Sequence, residues 1–502
     1  MRATAVVVER VGIALAVMGP GAVLLHTALR GLQVGMPAAI AASAALGLVG
    51  TAWLARWLRA RLPEPPPRRA FVAAWCLIAA VASTGMTARL SLFMVDGART
   101  EDSIYPHDAF YVQHSCLSAY FEAGRLQRAG VPNVYETTHY EGERGEPRWL
   151  DGFAMDAYLY PPPFLLFSRL GLALSDDFAT WRAIWFALEG AVVLAALLAV
   201  GLWVGGAAGR RVLWLIPLVW LSMPTLVTLQ FGNLQLVAIA GALLAMLAFE
   251  RGHHAMGGAI LAPLALSKVF PGVLFLLLLW QRRWRAAAWT AAFTIGLTVA
   301  SLPVLGGAPF HAFFSHHLPR LASGEAVSMI LARPDAIAAN HSVHGFVEKL
   351  GLLHAPGMSE RVEMVVSWVY TLAVLGMTAI AARSAPARLP RAITWLALLH
   401  LAALRSPFVP DVYAQFPLVW IVLLLLARDG LSARRRVGYA ALFVLAAIVT
   451  PTVHYVSRPY VAAFLVHQAL FFALGLWVVW SRGGTGSESR PPVGLYPRPA
   501  VG

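Results

Sequence analysis

The chain has 502 residues, of which 59% are hydrophobic and 13% charged. Soluble domains carry about 25% charged residues, so a soluble globular protein is excluded and a polytopic membrane protein expected. The net charge of +14 is spread over short loops between apolar runs, the pattern of cytoplasmic loops. It forms no continuous basic face, so nucleic acid is excluded as a partner.

Apolar runs of helix length lie at 11–29, 34–56, 71–94, 181–204, 212–229, 234–249, 286–305, 363–382, 392–405, 413–427, 437–451 and 459–480. No small-residue cleavage site follows the first run, which reads as a retained helix and not as a signal peptide. The arginine clusters "ARWLRARLPEPPPRRA", "GRR", "QRRWR", "ARSAPARLPR" and "ARDGLSARRR" are placed on the cytoplasmic side. The polar stretches 95–180 and 306–361 then become two large extracytoplasmic loops, with both termini cytoplasmic. Residues 1–60 form an N-terminal hairpin and 71–480 the main membrane domain. "PEPPPRR" reads as a stiff linker and the Gly, Pro and Ser-rich tail 481–502 as disordered. Cys76 and Cys116 give neither a disulfide framework nor a metal spacing, and neither is assigned a role.

"LAPLALSKVFPGVLFLLLLWQRRWR" needs a separate account. A lysine at the centre of a membrane helix costs roughly 2.5–3.5 kcal/mol on insertion scales. Arg251 and the "QRRWR" group must also share one side, although one apolar run separates them. Two short helices near 255–267 and 269–281 satisfy both conditions, with Lys268 at the outward apex. Pro271 falls in the first turn of the second, where its missing N–H costs nothing. The expected fold is therefore all-α, with about fourteen membrane helices, two of them short and paired.

The outer loops hold the polar side chains. "AFYVQHSCLSAYFEAGRLQRAG" reads as an amphipathic helix ending at Gly130. Asp108 precedes it, either as a helix cap or as a general base in a cleft lined by aromatics such as Tyr111. "YLYPPPFLLFSRLGLAL" cannot be a regular helix through its prolines and is too short to span. Tyr158 and Tyr160 suit an interfacial belt, or line a substrate. Gln230, Asn233 and Gln235 sit at the mouth of a helix, as caps or as ligands of a sugar hydroxyl. Asn340, His341, Ser342 and His344 lie on the second outer loop; no Cys or carboxylate completes a metal set with them, and no metal is expected. Glu189, inside a helix, is expected to pair with an Arg or His of a neighbouring helix.

Four stretches carry a resemblance: "HDAFYVQHSCLSAYFEAGRLQRAGVPNVYE", "YPPPFLLF", "QFGNLQLVAIAGALLAMLAFERGHHAMGGAILAPLALSKVFPGVLFLLLLWQRRWR" and "NHSVHGFVEKL". Their order resembles glycosyltransferase family 87, multi-spanning bacterial GT-C-type enzymes that include polyprenol-phosphate-mannose-dependent mannosyltransferases. The resemblance runs from about 71 to 430, with the N-terminal hairpin as an addition. It implies a bacterial inner-membrane enzyme that moves a hexose, mannose in the better-known cases, from a polyprenyl-phosphate donor to a glycolipid or glycan acceptor. Such transfer is inverting, occurs outside, and needs membrane lipids as its medium but no cofactor.

The resemblance places the base at Asp108, with Asp96 and Asp102 as neighbours. Lys268 would meet the donor phosphate, helped by Arg333 and Arg405. Tyr111, Tyr160, Gln230, Asn233, Asn340, His341 and Ser342 would line the substrates. After Ser406-Pro407 the chain lacks the Trp and His of many relatives. Asp411 and Tyr413 stand there instead, and Asp411 becomes a second candidate carboxylate. The alternative function is transport of lipid-linked sugars, but transporters carry broken helices in both of two paired halves, and one broken hairpin is found here.

Overall fold

The computed structural model describes residues 2–62, 69–143, 145–327, 333–383, 387–448 and 456–481. The "PEPPPRR" linker, except its last arginine, and the tail beyond Ser481 lie outside the described residues. The described chain is almost wholly helical, with one two-stranded antiparallel hairpin, Trp149–Leu150 with Phe153–Ala154.

Helices form where the apolar runs predict them, from Arg2–Gly31, Met36–Arg59 and Arg69–Val95 to Arg458–Trp480. The run 212–229 is corrected to two helices, Gly206–Trp220 and Met223–Phe231, bent by 56°. The break has a local cause. Pro224 opens the second helix, and the carbonyl of Val219 is taken by the hydroxyls of Ser222 at 2.8 Å and Thr225 at 2.7 Å. Such side chains replace lost helix bonds where water is absent.

The expected count of fourteen membrane helices is not matched by length. Among the described residues seven helices are long and apolar enough to cross a membrane, or eight if the bent pair counts as one. Gln235–Glu250 and Asp411–Leu426 have 16 residues each, which is about 24 Å against a hydrocarbon core of about 30 Å. Both are buried along almost every turn. Surrounded by protein, they need not match the bilayer.

The bundle sorts its charges by end. Glu250 pairs with Arg283 at 2.6 Å and also with Arg391. Arg211 pairs with Asp429 at 2.6 Å, and Arg388 donates to the Trp203 carbonyl at 2.9 Å. The basic loops thus share one end, and the two long loops occupy the other. Helices His254–Ser267 and Gly272–Trp280 break at Lys268. Their open ends both return to Phe249, whose ring lies by His254 and whose carbonyl accepts from Arg283. The first limb packs on Gln235–Glu250 and Trp284–Leu305, the second on Glu360–Ala382 and Arg388–Ala403. Lys268 is consequently delivered to the loop-bearing end.

The N-terminal pair is not a loose appendage. Its first helix packs on Arg69–Val95 and Phe178–Val204. Buried Glu9 lies 3.5 Å from buried Arg210 and accepts from Trp214 Nε1 at 2.9 Å. Removing one partner of a buried pair leaves an uncompensated charge, at about 3–5 kcal/mol. Glu9→Ala is expected to lower the melting temperature of the detergent-purified protein clearly, while Glu9→Met with Arg210→Met restores most of it.

Candidate active site

The early loop is organised by hydrogen bonds to the helix ends beneath it. The expected single helix over 109–130 is two, Ala109–Gln113 and Leu117–Arg128. It breaks because Cys116 N donates to the Phe231 carbonyl at 2.9 Å, tying the loop to the end of Met223–Phe231. Gln230 reinforces the tie: its Oε1 accepts from Ile104 N at 2.8 Å and its Nε2 donates to the Tyr111 carbonyl at 2.6 Å.

The strand hairpin turns through Asp151 and Gly152, both with positive φ. An Asp-Gly pair suits such a two-residue turn. The Arg182 guanidinium, buried in the bundle, lies 4.0 Å over the Phe153 ring and holds the hairpin down. The hairpin continues beside His114, which bridges to Ala154, and Asp156 N donates to Ser118 Oγ at 3.1 Å. Asp156 Oδ1 thereby comes to 3.6 Å from His114 Nδ1.

Cys116 Sγ is the centre of a cluster. It lies 3.4 Å from His114 Nε2 and 3.1 Å from the Tyr413 hydroxyl, and it accepts from Asn233 Nδ2 at 3.2 Å. Lys268 Nζ stands 5.7 Å from the Tyr413 ring centre and 5.8 Å from that of Tyr160. The Tyr160 hydroxyl is shared with Tyr120 at 2.8 Å. Glu189 completes the pocket. It is fully buried, neither carboxylate oxygen has a hydrogen-bond partner among the described residues, and Lys268 is the cation whose charge reaches it. The expected arginine or histidine ion pair of Glu189 is not found among the described residues, and the charge that acts on it is that of Lys268. The site thus sets a cation beside two tyrosine rings on broken backbone.

The profile of glycosyltransferase family 87 matches residues 158–407. These residues form a glycosyltransferase family 87 domain. The family is one of membrane glycosyltransferases. No curated protein and no solved structure matches the chain. The family 87 domain is narrower than the resemblance over 71–430. It contains Tyr160, Gln230, Asn233, Lys268, Arg333, Asn340, His341, Ser342 and Arg405, and leaves Asp108, Tyr111, Asp411 and Tyr413 outside.

The remaining predicted residues divide into near and far. Asp108 caps Ala109–Gln113, with Oδ1 accepting from Phe110 N at 3.0 Å and Tyr111 N at 3.4 Å. It joins the cluster through Phe110, whose ring stacks on His114 at 4.7 Å. Asp411 is buried two residues before Tyr413, and its charge and that of Asp108 both reach Tyr111. Asn340 is occupied by backbone: it donates to the Pro407 carbonyl at 3.1 Å and accepts from Ser342 N and Val409 N, each at 3.0 Å. Ser342 caps Val343–Leu352, and His341 contacts His467 at 3.0 Å. These three join the second outer loop to the segment before Asp411.

The two arginines stand apart. Arg333 is exposed and paired with Asp335 at 2.5 Å. Arg405 binds Thr371 at 2.8 Å and His344 at 3.1 Å. The cation that sequence reading missed is Lys349, buried and donating to the Asn340 carbonyl and, at 2.9 Å, to Gln468 Oε1. Burial pulls its ammonium down to about 7, opposed by the charge of Asp411.

Also missed were Asp156, His114 and Cys116. The Asp-Gly turn between "WL" and "FA" is a hairpin signal that brings Asp156 back. Nothing in the spacing pairs Cys116 with Tyr413. Cys116 is 6% exposed and Cys76 2%, so maleimide is expected to label neither in the folded protein. Tyr413→Ala is expected to open Cys116 to labelling, read by mass spectrometry.

Proposed function

We propose that the chain transfers a hexose from a polyprenyl-phosphate donor to an acceptor hydroxyl, at the extracytoplasmic surface of a bacterial inner membrane and with inversion. Mannose is the first sugar to test. The observation that carries this reading is Lys268 at the apex of a broken hairpin, facing Tyr160, Tyr413 and Glu189 at the end that bears both long loops. The basic loops gather at the opposite end, which the charge rule assigns to the cytoplasm.

The chemistry follows from what the groups can do. As the bond from the anomeric carbon to the phosphate oxygen breaks, negative charge grows on the phosphate. A fixed ammonium among low-dielectric walls stabilises that charge more than it stabilises the bound donor. The first N–H groups of Gly272–Trp280 are taken by the carbonyls of Val269, Phe270 and Pro271, so what this helix adds at the apex is the partial positive charge of its dipole. Tyr160 and Tyr413 offer flat faces to a sugar or prenyl unit. Asp108 serves as the base that takes the acceptor's proton, with the carboxylate steadied by its two backbone N–H bonds. Asp411 is its rival. Arg405 and Arg333 are placed as outer contributors to donor binding, through their charge and without direct contact to Lys268.

The test is transfer from labelled polyprenyl-phosphate mannose and glucose in proteoliposomes. Lys268→Ala is expected to lower kcat about 100- to 1,000-fold, and Lys268→Arg to retain part of it. Asp108→Asn is expected to lower transfer about 100- to 10,000-fold with little change in KM for the donor. Undiminished transfer in Lys268→Ala would refute the reading, and unaltered transfer in Asp108→Asn would pass the role of base to Asp411. Flipping of the donor without transfer would identify a transporter.

A further inference from the structure

We propose that His114, Cys116 and Asp156 bind a zinc ion at the mouth of the Lys268 pocket. The three side chains come from two separate segments, yet one ligand atom of each lies within 4.8 Å of the others. Tetrahedral zinc with bonds of about 2.0–2.3 Å sets its ligands roughly 3.5 Å apart, so closure asks for about 1 Å of side-chain movement. One imidazole gives one nitrogen to the ion, and whichever it gives, one spacing is already near that value: 3.4 Å from Cys116 Sγ with Nε2 as the ligand, or 3.6 Å from Asp156 Oδ1 with Nδ1.

The surroundings of the sulfur support a metal thiolate. Asn233 presents an amide N–H to Sγ, so the sulfur is an acceptor there. The Tyr413 hydroxyl is a second donor within reach, and the Lys268 charge also reaches Cys116. Outer-shell donors of this kind orient and stabilise metal thiolates. A neutral thiol buried in an apolar pocket requires none of them. The set of one thiolate, one imidazole and one carboxylate selects zinc over magnesium or calcium, which take oxygen ligands. Three protein ligands leave a fourth position open. Entry is from the loop side, where Asp156 keeps 35% and His114 15% of its side-chain surface exposed.

Zinc binding succeeds or fails without reference to glycosyl transfer. The full chain in nanodiscs is stripped with a chelator, then titrated with zinc chloride and, separately, cobalt chloride. One zinc per chain is expected, and cobalt should give tetrahedral visible bands with a near-ultraviolet thiolate-to-metal band. Cys116→Ser should abolish the thiolate band and weaken zinc at least about 100-fold, the upper end of what losing an outer-shell partner alone costs. Asp156→Asn, at a part-exposed position, should keep the thiolate band and weaken zinc. Zinc bound equally well by Cys116→Ser, or a cobalt complex without the thiolate band, would overturn the proposal. So would binding by the unaltered chain no stronger than by His114→Ala with Cys116→Ser.

Discussion

A lysine in an apolar run has to be carried to a place where its ammonium is solvated by something. Everything at the loop-bearing end follows from how this chain does so. Lys268 has extended backbone between two helices too short to cross a bilayer alone. The break turns a span into a descent and a return, and puts the charge at the turn. There the ring faces of Tyr160 and Tyr413 stand by the ammonium and the charge of Glu189 reaches it. Each interaction is modest alone, since a cation near an aromatic face is worth about 0.5–2 kcal/mol. Together they offset an insertion cost of similar size, and under the proposed reaction the pocket keeps a cation for the donor phosphate.

The rest of the bundle holds that hairpin in place. Gln235–Glu250 and Asp411–Leu426 are encased by neighbours, so they are set by protein packing and not by membrane thickness. Glu250 joins segments far apart in sequence through Arg283 and Arg391. This fixes the open ends of the hairpin, and hence the depth of its apex. The opposite end is tied by amides: Gln230 to the early loop, and Asn340 to the segment before Asp411. Side-chain amides suit this task because each both donates and accepts. Gln230 was legible as a polar residue at a helix mouth and Asn340 as one on the second outer loop, but their backbone partners, remote in sequence, were not.

The same distinction explains what else the sequence disclosed. Hydropathy places the helices to within a few residues, because each run is a property of contiguous residues. The apex at Lys268 was legible because charge sorting demands it. The bend at Leu221–Ser222 was hidden, since the flanking runs are equally apolar and the hydroxyls of Ser222 and Thr225 absorb the broken bonds. The cap at Asp108, one of its two readings, was legible because it is a local interaction over two or three residues. The cluster of His114, Cys116, Asp156, Asn233 and Tyr413 was not, for it joins four segments and no spacing encodes it. Asp156 alone left a trace, through the Asp-Gly turn that returns it to His114.

The division between the family 87 domain and its flanks carries a chemical logic under the proposed reaction. A polyprenyl phosphate presents the same anion whatever sugar or acceptor is involved, so the part that meets it can be held in common. Lys268, Tyr160 and the hairpin lie inside the matched segment 158–407. The acceptor differs between enzymes, and the groups facing it must differ too. Asp108, His114, Cys116 and Asp156 on the early loop, with Asp411 and Tyr413 beyond the other boundary, all lie outside the match. Function built on a common scaffold is varied where loops meet it. Tyr413 spans the two parts, one side of it against Lys268 and its hydroxyl at Cys116. A change at Tyr413 therefore alters both halves of the pocket at once, whereas a change at Asp108 alters one.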